Sequence, residues 1–465
     1  MIKKTFLFLC FAVNLLFGQA IHNHWYFGNQ AAMNFTTGNP TVLTNSAMTC
    51  IDMSASISTK SGKLLFYTNG NMVWDSTHQV MPNGTGLLGG YSGGQIATIA
   101  PHPKNSYGGR GLNQYFVFTN CQFGCANGFE YNIVDMNLNS GKGDVTLKNQ
   151  LLYASSSEKC TIVPHQNGSD YWIISHELTT NAFRVYALTS AGLNTTPIVS
   201  NAGTVYGNSP DGYQAVGQLV ASKQGNKLAA ALYSQNFLEV YDFNNATGTV
   251  SNAQTINGYN NSFGCEFSED GTKLYFTQWQ MNKNIYQVDL QNNFAVSMIG
   301  TATSGHPTYG VGYLQLAPDG KIYFPKFDSP TLGCISNPNS LGTACGFVDN
   351  AINLLGATCS AGLPNNFKYP SNTNAIEQPF ATPFEIQWQN PTQGNLSFFT
   401  KAAIEPNMEV KLYDISGNLL EKFSLQDFIG KNKGSLNIPN FAAGVYFCVL
   451  QKNEKIINNQ KVIIY

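Results

Sequence analysis

The chain has 465 residues, a net charge of -1 and only 11% charged residues, against roughly 25% in ordinary soluble proteins. That balance excludes a basic nucleic-acid footprint and an acidic solvating tail. Aromatics at 12%, with 23 Tyr, 30 Phe and 44 Gly, make a strand-and-turn composition, and an all-β protein is expected.

Met1-Ile2-Lys3-Lys4, an apolar run over 5–17 and small residues at Gly18-Gln19-Ala20 have the three-part build of a secretory signal. Residues 1–20 are therefore expected to be a leader cleaved after Ala20. The run is shorter than the about 20 residues a spanning helix needs, and no later stretch replaces it, so no transmembrane anchor is expected. Cys10 lies inside the run rather than behind small residues at its end, which argues against a lipid anchor.

"HNHWYFGNQAAMNF" follows, residues 22–35. Its three adjacent aromatics read as a strand in which Trp25, Tyr26 and Phe27 alternate between faces, with Gly28 allowing a bend or close packing.

From there to about residue 345 a unit recurs, as in "SASISTKSGKLLFYTNG", "KCTIVPHQNGSDYWIISHE" and "CEFSEDGTKLYFTQW". Each copy has a short strand of small and apolar residues, a polar turn and a stronger apolar strand. Landmarks at Gly62, Asn113, Gly168, Gly225, Gly271 and Gly320 recur at about 46 to 57 residues, the range of propeller blades. Such a sheet, apolar on both faces, buries itself only by stacking against copies of itself around an axis. Crowding at the axis accounts for Ala55, Ala97, Gly217 and Gly264, and Cys160 and Cys265 fall on equivalent inner strands as small buried residues. Asp270 and Asp319, each before Gly, read as turn formers in "FSEDGTKLYF" and "LAPDGKIYF", which resemble the turn-strand signature of WD-like and TolB-like propellers. Residues 21–370 are thus expected to form a β-propeller. It has seven blades if the two ends of the region share the last one, six if those ends are embellishments.

Ten cysteines less Cys10 leave an odd number, so at least one thiol stays free. The expected bridges join Cys121 to Cys125, across a short turn, and two of Cys334, Cys345 and Cys359. "CQFGC" has no second half, and no metal is expected.

Signals for chemistry are sparse. His176-Glu177 lacks the second His of a zincin helix and sits in a strand repeat. His102 and His165 both follow Pro at the same repeat turn, "GGYSGG" lacks the Lys of a phosphate loop, and no GxSxG is present, so no cofactor and no catalytic constellation are expected. Acids distant in sequence can still meet in a propeller funnel. Asp52, Glu158 and Glu266, on or near inner strands, are the ones to examine. Asp75-Ser76-Thr77 fits a three-residue O-glycosylation pattern but reads as an exposed turn.

Residues 371–385 form a polar, Pro-containing linker, and beyond them the composition changes. The last 80 residues hold 8 Lys and 6 acids, against 17 basic and 20 acidic residues before them. Residues 386–465 alternate apolar and polar residues with hairpin turns at "SGN" and "KNEK", which suits a small Ig-like β-sandwich. "NPTQGNLSF", "VKLYDISGNLLEKF", "IPNFAAGVYFCVL" and "KVIIY" resemble the type A C-terminal sorting domain of the Bacteroidota type IX secretion system. Asn390, Pro391, Gly417, Gly444 and Lys461 match its pattern, while Gln389 stands where many members have Pro.

The resemblance implies Sec export, passage through the outer membrane by the type IX machinery and removal of the tail by a sortase-like peptidase. The product is then attached to surface lipopolysaccharide or released. "WYFGNQAAMNF", "LQLAPDGKIYFPKF" and "GLPNNF" also resemble the ends of a propeller region common in secreted Bacteroidota proteins, a family with no activity to transfer. Two functions follow: a surface or released binding protein that meets a glycan or protein, or a secreted polysaccharide-active enzyme with its site in the funnel.

Overall fold

A computed structural model describes residues 20–90, 92–105, 112–207, 213–280, 283–303, 306–369, 386–389, 392, 394–400, 403–414, 419–438, 441–452 and 455–464. Nearly all of the expected leader, the whole of the expected linker over 371–385, and Asn390, Pro391 and Gly417 lie outside these residues. The chain divides into two compact units, Met1–Ser371 and Asn372–Tyr465.

The first unit is a β-propeller. Six antiparallel sheets occupy residues 55–85, 97–153, 156–201, 219–257, 262–301 and 315–353, here blades 1 to 6; each has four strands except the third, which adds a fifth. Alternation along each strand feeds two cores at once. In Lys227–Leu232, Leu228, Ala230 and Leu232 pack with Trp172 and Ile174 of blade 3, whereas Ala229 and Ala231 face Phe267 and Phe276 of blade 5. A fully buried Leu or Phe contributes about 1.5–3 kcal/mol, so each blade is held by both neighbours.

The seventh blade joins the two ends of the unit. His24–Phe27, Ala31–Asn34 and Thr41–Leu43 form its three strands. The innermost position is filled by residues 359–367, tied to the flanking inner strands by Ala361 N–H to Ile51 C=O (2.8 Å), Asn365 N–H to Ser54 C=O (2.7 Å) and Tyr313 N–H to Ala361 C=O (2.8 Å). Trp25 and Phe27 pack with Phe35, Tyr323 and Leu332 toward blade 6. Tyr26 points the other way and stacks on Tyr67 of blade 1 at 4.1 Å. Gly28 has φ +54°, and a Cβ there would lie 2.5 Å from the Thr358 carbonyl, so the end of this strand admits only glycine.

The axis is closed by amides. Gln95 Oε1 accepts from Leu219 N–H (2.7 Å) and Cys160 N–H (3.3 Å), and its Nε2 faces Cys160 C=O, Leu219 C=O and Asn365 Oδ1 at 2.8–3.0 Å. Gln218 does the same for Cys265 N–H, Leu314 N–H and Leu314 C=O. Asn365 Nδ2 completes the plug by donating to Cys160 C=O and Ala97 C=O. Crowding is as tight as the small residues imply: a Cβ on Gly264 would sit 2.6 Å from the Gly312 carbonyl.

The second unit is a β-sandwich. Ile386–Trp388, Asn395–Thr400 and Lys433–Asn437 form one sheet; Met408–Tyr413, Leu419–Ser424, Gly444–Lys452 and Lys455–Ile464 form the other. Trp388, Leu396 and Phe398 meet Val410, Leu412, Cys448 and Leu450 in one core. No helix among the described residues is long and apolar enough to cross a membrane.

Candidate functional site

The inner strands of all blades begin at one face of the ring, called the upper face here. It gathers the loops between second and third strands and the crossovers between blades. Asp52 precedes the inner strand of blade 1 and Glu158 lies near the start of that of blade 3, so the fold brings both to the upper mouth.

Both carboxyls are sealed, Asp52 at 5% and Glu158 at 1% exposure. Asp52 Oδ2 accepts from Ser92 Oγ at 3.2 Å. Glu158 Oε1 accepts from Phe123 N–H at 2.6 Å and Oε2 from Gly94 N–H at 2.7 Å. Burial, reinforced by the Glu158 charge, pushes Asp52 up to about 8. Burial pushes Glu158 up to about 7 against the two backbone donors. The buried Tyr313 hydroxyl points into this cluster without a hydrogen-bond partner.

A protonated Asp52 beside Glu158 has the electronic features of a general acid. The carboxyls are covered, and the loops carrying Phe123 and Gly94 are seated on Glu158. The arrangement as it stands anchors loops.

Lys159, one residue on, turns away and donates to Val216 C=O at 2.8 Å with its Nζ over the Tyr206 ring; burial lowers it to about 7. Glu266 does not join Asp52 and Glu158. The equivalence of Cys160 with Cys265 sets it level with Thr161, farther down its strand, where it binds Lys368 Nζ (2.6 Å) and accepts from Leu316 N–H (2.9 Å).

The remaining expected positions take structural roles. His176 is buried and stacks on Tyr206 at 3.5 Å. His102 and His165 accept through Nδ1 from Lys104 N–H and Asn167 N–H, each 3.0 Å away, so both cap their turns. Asp270 Oδ1 accepts from Ser268 Oγ and Thr272 N–H, Asp319 Oδ1 from Lys321 N–H, and Asp75 Oδ1 from Thr77 N–H. No group of three or more His, Cys, Asp or Glu able to hold a metal occurs among the described residues.

Cys121 and Cys125 form a disulfide. The second expected bridge is absent: Cys334, Cys345 and Cys359 are all free and buried. Cys334 packs in the core toward blade 7 and Cys345 in the core toward blade 5, so they face different neighbours. The Cys359 thiol hydrogen-bonds to Lys326 C=O (2.9 Å) and Ser329 C=O (3.2 Å) instead.

The upper face also carries a feature that the blade repeat does not announce. Phe123, Tyr213, Tyr233, Phe263 and Trp279 make a continuous arc of ring contacts at 4.4–6.2 Å from blade 2 through the crossover between blades 3 and 4 to blade 5. From the buried Tyr313, a near-parallel ladder runs outward through Phe263, Trp279, Tyr309 and His306. Phe123 and Tyr213 are the most open, at 37% and 42% exposure. Phe123 rides the turn closed by the disulfide. The signal was present in the sequence as an aromatic in successive loops, "CQFGC", "YSQNF", "TQWQ" and "HPTYG".

Charge divides the two faces. Among the described residues, the upper loops and crossovers carry only Asp52, Lys283, Lys326 and Asp328 as charged residues, and Asp52 and Lys326 are buried. The loops of the lower face carry Lys60, Lys63, Lys104, Lys223, Glu269 and Lys321 among others.

In the second unit, Gly444 opens its strand opposite Ile464, and Lys461 lies on the last strand opposite Phe447.

A propeller and a separate C-terminal sandwich define a two-module protein, and comparison with known proteins identifies the second module. Residues 388–465 match the family described as "Secretion system C-terminal sorting domain". The chain carries the tail of the type IX secretion system, and such a tail directs export to the cell surface or beyond. No curated protein matches the chain.

Solved structures resemble the propeller distantly. A Bacteroides uniformis protein provisionally named a 6-phosphogluconolactonase is 13% identical, with 72% of this chain and 98% of that one covered and a TM-score of 0.46. The Dos1 propeller is 12% identical over 74% and 87%, with a TM-score of 0.43. The periplasmic gluconolactonase of Pseudomonas aeruginosa is 14% identical over 84% and 94%, with a TM-score of 0.38. Likenesses at this level carry nothing about activity.

Proposed function

We propose that the chain is an exported binding protein: the sorting tail delivers it, and the propeller meets a ligand with its upper face. The observation that carries this reading is the contrast between an accessible aromatic surface and inaccessible carboxyls on one mouth. Tyr213 and Phe123 are open to a partner, whereas Asp52 and Glu158 are covered by the loops they hold.

In this reading residues 1–20 are the Sec leader, 21–370 the reader, 371–385 the linker and 386–465 the address. Asn390, Pro391, Gly417, Gly444 and Lys461 mark the tail for the type IX machinery. A sortase-like peptidase then removes the tail, and the propeller is attached to surface lipopolysaccharide or released.

The test has two arms. Labelling intact producing cells and their medium with a membrane-impermeant reagent should find the propeller outside, and a protein confined to the cytoplasm contradicts the delivery half. Incubating the purified chain with a polysaccharide panel and measuring reducing ends should show no release. Release abolished by Asp52→Asn or Glu158→Gln would make the protein an enzyme of the funnel instead.

A further inference from the structure

Resting on that reading of the upper face, we infer that its ligand is a neutral polysaccharide, gripped by Phe123 and Tyr213 and by the amides of the loops around them. Three observations select this class. The first is charge. Polyanions, whether nucleic acid, alginate or sulfated glycans, are held by Lys and Arg. The described upper loops offer Lys283 as their one cation that is not buried, while the lysine-bearing turns lie on the opposite face.

The second is the kind of apolar surface. Phe123 and Tyr213 touch edge to face at 5.5 Å and 83°, each next in sequence to a glutamine, Gln122 and Gln214, and Tyr213 packs on Tyr233 of the amide-bearing loop "YSQNF". Each is only part-open, at 37% and 42% exposure, and the rings that continue the arc behind them, Tyr233 and Phe263, are buried. A protein partner of ordinary affinity would call for a larger apolar centre with Arg and Met about it. Rings interspersed with amides suit a molecule that alternates C–H faces with hydroxyls, which is the surface of an uncharged sugar chain.

The third is rigidity. The Phe123 turn is closed by the Cys121–Cys125 disulfide and pinned through its own N–H to Glu158. Tyr213 packs against Tyr233 at 5.6 Å, and Tyr233 is buried against Phe263. Preset rings lose little freedom on binding, which matters when each contact is weak. The ladder Phe263, Trp279, Tyr309 and His306 extends the same surface toward blade 6, its rings stacked on each other and lending shape more than open faces.

Affinity electrophoresis of the full exported chain tests the inference. The gels hold laminarin, xyloglucan, galactomannan or pullulan as neutral polymers, and alginate or chondroitin sulfate as anionic ones. At least one neutral polymer should retard the chain, with retardation unchanged by added salt. Phe123→Ala and Tyr213→Ala should each weaken it roughly 2- to 12-fold, the range that a ring contact of about 0.5–1.5 kcal/mol implies. Tyr213→Phe should retain most of it. Unchanged melting of the variants shows that the face and not the fold was altered.

Retardation by anionic polymers alone, lost in salt, would overturn the neutral-glycan class while leaving the face intact if Tyr213→Ala still abolished it. Neutral binding indifferent to both ring variants would overturn the face and the reading beneath it. A chain that no polymer retards overturns the glycan class and leaves a protein partner for the face.

Discussion

The backbone N–H of Phe123 donates to Glu158 Oε1 at 2.6 Å, so the most deeply placed carboxylate of the upper mouth holds one of its most exposed rings. Glu158 is thereby a positioning residue. Glu158→Gln keeps the shape but turns an amide N–H₂ toward one of two backbone donors. A buried donor left unsatisfied costs about 1–3 kcal/mol. The variant should melt earlier and exchange its residue 121–125 amides faster. Unchanged exchange there would remove Glu158 from the loop.

Asp52 predicts a pH dependence. Its folded value of about 8 lies above the ordinary value of 3.8, so the folded state is the better proton binder between the two. Stability then falls as pH rises through that window and levels off above it. Asp52→Asn cannot ionise and removes this slope. It should melt close to the parent at pH 4, near the ordinary value, and at least about 2 °C above it at pH 9, the shift expected for roughly 1 kcal/mol in a large domain. Parallel melting curves across this range would mean that Asp52 ionises freely.

Ring closure is a matter of a few amides. Asn365→Ala removes donors to Cys160 C=O and Ala97 C=O and a partner of Gln95. With about 1–3 kcal/mol for each buried group left alone, the propeller should lose several degrees in thermal midpoint although no strand is touched. A loss within error would show that the plug is ornamental.

Thiol counting checks the cysteines. Among the described residues, seven thiols are free and buried and one disulfide is formed. Labelling of the folded chain should be negligible, and denaturation without reductant should expose all seven. Two fewer would restore a second bridge among Cys334, Cys345 and Cys359.

Much of this architecture is legible in the sequence because a propeller repeats its own constraints. The Gly and Asp-Gly turns mark each blade, and Trp25, Tyr26 and Phe27 do alternate between two cores. Three features are not legible. Cysteine spacing says nothing about which core a strand face enters, so Cys334 and Cys345 could not be told apart from bridge partners. Gln95 and Gln218 each follow a Gly and precede an inner strand, a regularity masked by the apolar pattern around it. The convergence of Asp52 with Glu158, and of rings from three blades and a crossover, is a product of ring closure, which brings together loops far apart along the chain.

Hydrogen–deuterium exchange tests most directly whether the upper face is the reading surface. The full exported chain should be measured alone and with the neutral polysaccharide of the panel that retards it most. Protection is predicted in residues 121–125, 213–215, 233–236 and 306–309, all on upper loops. Protection confined to the lower turns around Lys60–Lys63 and Lys223, or no protection in any loop, would contradict it.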